Sequence, residues 1–159
     1  MARVPFGVSR LDSMIGGGAP AGSTVLLGSE VGAGGREFLY TTAAMNGLAL
    51  SDDEQFDLYY GDLAGSARLP ESVEYLSFTD DRSAIVEEME YTLDESLVRA
   101  ATEAISFKDM SKEYFQLSQV PSDWYASETP DITALGDRHD RRDVLDGIGE
   151  YLSRRGEGS

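Results

Sequence analysis

The run Ser23-Thr24-Val25-Leu26-Leu27-Gly28 constrains the fold more than any other stretch of this chain. It is β-branched and aliphatic, bounded by Gly22 and Gly28, and a short continuous apolar run of this kind predicts a parallel strand buried on both faces. It leads through Ser29-Glu30-Val31-Gly32-Ala33-Gly34-Gly35-Arg36 into a stretch from about Glu37 to Leu50. There Phe38, Thr41, Met45 and Leu48 recur at helical spacing and make one face. Strand, glycine-rich turn and helix in that order are the local context a phosphate-binding loop requires.

Residues 52–69 are polar and punctuated by glycine, with an aromatic island at Phe56, Leu58, Tyr59 and Tyr60; a loop or a short edge element is expected. Val73, Tyr75, Leu76 and Phe78 predict a second strand after Pro70, ending at Thr79-Asp80-Asp81. Ile85, Val86, Met89 and Leu93 are spaced as on a helix from Arg82, and Leu97, Val98 and Ala101 continue the pattern from Asp94, as two helices or one broken helix. Ala104 to Phe107 predict a third strand. From Met110 to Gly136 the sequence is irregular, and Trp124 and Tyr125 read as part of a packed loop or as a partner anchor. His139 to Arg155 carry Val144, Leu145, Ile148, Tyr151 and Leu152 on one helical face, and 156–159 form a flexible tail. Strands alternating with helices predict an α/β domain over 1–155, with a parallel sheet flanked by helices.

The charge narrows the partners. With 13 Lys+Arg against 29 Asp+Glu the chain of 159 residues carries −16, and 41% apolar residues suffice to fill a core. Affinity for phosphate backbones comes from cations that release counterions, so binding to nucleic acid is not expected. No apolar run approaches the ~20 residues that span a bilayer, and 1–10 lack the blocks of a signal peptide; a cytoplasmic protein with no membrane insertion is expected. All the basic residues but Lys108 and Lys112 are arginine, and the carboxylates are spread over every segment. At molar salt the screening length falls to ~3 Å, so dispersed acidity of this size reads as a whole-surface adaptation to a salt-rich cytosol.

A phosphate loop of the form G-x-x-x-x-G-K-[ST] aims backbone N–H groups and a helix N-terminus at the phosphate, with Lys on the β/γ oxygens and the hydroxyl on Mg²⁺. Aligned to that form, Gly32 and Gly34 keep the backbone wrap. Ser29 replaces the first glycine, Gly35 the lysine and Arg36 the hydroxyl, and Glu37 follows in the first helical turn. The candidate cofactor-binding residues are therefore Ser29, Glu30, Val31, Gly32, Ala33, Gly34, Gly35 and Arg36, in a loop that has kept its glycines and lost its chemistry. No His, Cys and Asp stand at metal-ligand spacing, so no metal site is expected, and no nucleophile has a local base. His139, flanked by Arg138, Asp140, Arg141 and Arg142, reads as an exposed residue near a helix start.

The segment before the loop carries a fuller pattern: Gly7, then Leu11-Asp12, then Gly16-Gly17-Gly18, then Pro20 and Gly22, leading into the run at Ser23. From Gly7 to Gly34 this resembles, position by position, the opening of the KaiC-like branch of the RecA-superfamily P-loop ATPases. With the acidity, the chain is similar to the haloarchaeal members of that branch, including those called HTR-like (halobacterial-transducer-like) proteins. The resemblance implies a RecA-like P-loop NTPase fold. It puts Thr79-Asp80 where the family has a pair of glutamates, which makes Asp80 the candidate catalytic carboxylate. It also implies a later aliphatic strand ending in Asp, the Walker B element that organises Mg²⁺. Tyr60-Gly61-Asp62 and Phe107-Lys108-Asp109 are poor substitutes, one in a polar stretch and the other interrupted by Lys108. The strand is expected where the chain ends at Ser159, so the fold reads as C-terminally incomplete.

These readings lead to a catalytically degenerate KaiC-like domain with a regulatory or signalling role, acting through a protein partner or a homo-oligomer. One alternative is an ATPase that uses Arg36 as its cation and Asp80 as its base with help from another subunit. The other is a nonfunctional N-terminal gene fragment. ATP and Mg are cofactors only if the degenerate loop still binds nucleotide.

Overall fold

The computed structural model describes residues 1–111 and 114. The expected helix at 139–155, the irregular stretch with Trp124 and Tyr125, His139 and the tail lie outside the described residues. The chain divides into two compact units, Met1–Leu76 with Asp81–Lys108, and Ser77–Asp80 with Asp109–Ser159.

In the first unit, β1 (Arg3–Val4), α1 (Ser9–Met14) and β2 (Ala19–Pro20) form a small clasp in which the strands pair antiparallel, Arg3 with Pro20 and Val4 with Ala19. The glycines of the opening pattern are steric necessities here. A Cβ on Gly18 (φ +111°) would lie 2.0 Å from the Val4 carbonyl oxygen, and one on Gly7 (φ +84°) would lie 2.6 Å from Met45 Cβ. Only glycine fits such positive-φ close approaches. Asp12, 1% exposed, closes the clasp: its carboxylate accepts from Phe6 N at 2.8 Å, Gly7 N at 3.0 Å and the Tyr60 hydroxyl at 3.1 Å.

The long helix α2 (Gly35–Ser51) is the spine of the unit. Its second half is buried from Ala44 to Ala49. Gly47 lets α5 (Glu95–Ala104) approach so closely that a Cβ there would lie 2.7 Å from the Ala101 carbonyl oxygen. Between them in sequence come α3 (Asp53–Tyr60), β3 (Val73–Ser77) and α4 (Arg82–Thr92), and β4 (Ile105–Asp109) follows. One core cluster joins Ala44, Met45, Leu48 and Ala49 of α2 to Phe56, Tyr60, Leu97 and Ala101; a second joins Tyr40 to Ile85, Met89 and Val98. Part of the acidity is local architecture, because three helices start on aspartate caps. Asp52 accepts from Gln55 N, Asp81 from Ala84 N, and Asp94 from Ser96 N and Leu97 N. The Ser96 hydrogen bonds hold the Asp94 carboxyl below the usual carboxylate range.

The molecule is thus a mixture of α and β structure, as expected, with β3 and β4 forming a second two-stranded sheet. They are joined through α4 and α5, the long crossover that parallel neighbours need. The expected strands at 73–78 and 104–107 are β3 and β4, and the two-helix alternative at 82–101 is the one realised, with Asp94 capping the second helix.

Two expectations are corrected. The run Ser23–Gly28 is not a buried strand: 21–34 have no strand assignment and every residue is exposed, with Leu26 at 95%. A strand buried on both faces needs hydrogen-bonded neighbours and covering layers, and β propensity alone supplies neither. The polar stretch 52–69 is also more ordered than expected, since 53–60 form α3. There Phe56 and Tyr60, four apart on one helical face, stack at 5.0 Å and enter the core.

In the second unit, the Ser77 carbonyl accepts from Met110 N at 2.7 Å, and Ser77 Oγ accepts from Asp80 N at 3.0 Å. Among the described residues no helix is long and apolar enough to cross a membrane.

Candidate functional site: the glycine loop and the start of α2

The loop from Ser29 to Arg36 is built by short-range contacts. Gly32 and Gly34 take φ of +82° and +77°, and Ala33 N donates to the Glu30 carbonyl at 3.1 Å, which closes a turn. Gly34 is the N-cap of α2 and supplies no side-chain cap, so the first N–H groups of the helix face the loop with the positive end of the helix dipole behind them. Backbone wrap and helix start are therefore present as the glycine spacing predicts, although the strand expected to lead into them is not.

The side chains do something else. Ser29 fills the space that a side chain at position 35 would need: a Cβ on Gly35 would lie 2.4 Å from Ser29 Cβ and 2.5 Å from its Oγ. The serine at 29 and the glycine at 35 are thus coupled departures from the phosphate-loop form. Glu37 stands in the first turn of α2, and its Oε2 lies 3.8 Å from where a Cβ on Gly34 would be. A carboxylate there interacts favourably with the helix dipole and opposes an incoming phosphate.

Arg36, the loop's one cation, turns toward α4. Its Nη1 lies 3.2 and 3.1 Å from the two Glu88 carboxylate oxygens. The buried Tyr40, one turn along α2 from Arg36, donates its hydroxyl to the same carboxylate. With Glu37, Tyr91 and Thr92 these groups line a cavity of about 330 Å³. Burial and the Glu88 hydrogen bond push the Tyr40 phenol well above its usual range, and the Tyr40 and Arg36 hydrogen bonds hold the Glu88 carboxyl low. Arg36 and Glu88 form an ion pair whose side chains are 54% and 41% exposed, with the Tyr40 hydroxyl as a third group on the carboxylate.

Asp80 belongs to the second unit, where its carboxylate accepts from the neighbouring Thr79 hydroxyl at 2.6 Å. Among the described residues no group of three or more His, Cys, Asp or Glu is placed to hold a metal ion. Sequence reasoning missed Tyr40 and Glu88. The spacing of Arg36 and Tyr40, four apart and so on one face of a helix, was the available signal that they share a partner. Compared with family models, with curated proteins and with solved structures, the chain matches none.

Proposed function

We propose that this chain is a catalytically degenerate RecA-superfamily domain of the KaiC-like branch, and that it acts by binding a protein partner or further copies of itself in a regulatory role. The observation that carries the reading is the charge at the start of α2: Gly35 stands where a lysine would be, and Glu37 lies in the first turn. Catalysis of phosphoryl transfer is almost entirely positioning and charge stabilisation. A loop with no lysine, with its arginine engaged by a carboxylate and with Glu37 in the first turn of the helix offers a phosphate little beyond backbone N–H groups. The finer fold, a RecA-like parallel sheet, is part of the same proposal. It is supported by the Gly7 to Gly34 pattern and by the β3-α4-α5-β4 crossover.

The alternative of an ATPase with Arg36 as its cation has to bring the guanidinium to a phosphate beside Glu37 in the first turn of α2. The test is turnover and association measured together in molar KCl. The expected result is ATP hydrolysis no faster than that of a Gly34→Val control, with concentration-dependent sedimentation. Mg²⁺-dependent hydrolysis that the Gly34→Val change abolishes overturns the proposal.

A further inference from the structure

No further inference is drawn: the strongest candidate, the groove of about 450 Å³ between α2 and β3 lined by Val4, Leu39, Ala43 and Tyr75 among others, is an unpartnered apolar face, and nothing in the structure shows what covers it.

Discussion

Replacing Glu88 with alanine removes two interactions that share one carboxylate, and the structure says they are of unequal worth. The Tyr40 hydroxyl sits on a side chain 3% exposed and donates to an ionised acceptor; hydrogen bonds to charged groups contribute about 1.5–3 kcal/mol. The Arg36–Glu88 pair is open to water, with side chains 54% and 41% exposed, and such pairs contribute about 0–1 kcal/mol, less in salt. Glu88→Ala should therefore destabilise the fold by about 2–3 kcal/mol in molar KCl. Arg36→Ala should cost under about 1 kcal/mol, and Glu88→Gln, which keeps a neutral acceptor for Tyr40, should fall between them. Urea denaturation followed by circular dichroism measures each, and a double-mutant cycle isolates the pairs. The Glu88 carboxyl is held low by its Tyr40 bond. Its contribution is thus present above the ordinary carboxylate range and is lost as pH falls through the depressed value. An Arg36→Ala cost equal to that of Glu88→Ala, or a Tyr40–Glu88 coupling below about 0.5 kcal/mol, refutes the assignment of Tyr40 as the dominant partner.

Asp12→Ala should cost at least about 3 kcal/mol by chemical denaturation, because it leaves two backbone N–H groups and the Tyr60 hydroxyl without an acceptor. Burial, with Asp12 beside it, pushes the Tyr60 phenol up to about 12. Stability should therefore be intact below pH ~10 and decline as pH rises toward that value, by about 3 kcal/mol in all. Tyr60→Phe should remove that part of the decline in an alkaline titration of denaturation midpoints. Gly35→Lys alone should strain the loop against Ser29, whereas Ser29→Gly with Gly35→Lys relieves the 2.4 Å approach and should raise ATP affinity at least about tenfold over the single variant, a difference of ~1.4 kcal/mol.

Much of the helical framework is legible in the sequence because its determinants are local. The period of Ile85, Met89, Leu97 and Val98 places their helices, and Asp94 divides them because its side chain accepts from the N–H groups that open α5. The strand from Val73 is legible for the same reason. What fails depends on distant partners. Val25, Leu26 and Leu27 have the composition of a buried strand, but burial needs neighbouring structure that no local pattern guarantees. The helix at 53–60 hides behind aromatics that favour strands. Its local signal was an aspartate at 52 followed by a glutamine three residues on, the reciprocal capping arrangement with Asp in the lead position. At the site, Gly32 and Gly34 take left-handed φ and the helix starts at Gly35, but the strand expected before them is absent among the described residues. The engagement of Arg36 by Glu88 spans 52 residues, and the Asp12–Tyr60 contact spans 48; neither has a signature within a short window. The recognisable opening pattern is, in physical terms, chiefly a set of fold requirements: Gly7 and Gly18 for close approach, and Asp12 for the clasp.

The central claim, that this loop keeps the shape of a phosphate cradle without its binding chemistry, is tested most directly by isothermal titration of the full chain with ATP and Mg²⁺ in molar KCl. The account predicts no saturable heat in the micromolar range, with measurable affinity appearing in the Ser29→Gly, Gly35→Lys variant. Micromolar, Mg²⁺-dependent binding by the unaltered chain that Arg36→Ala abolishes would contradict it.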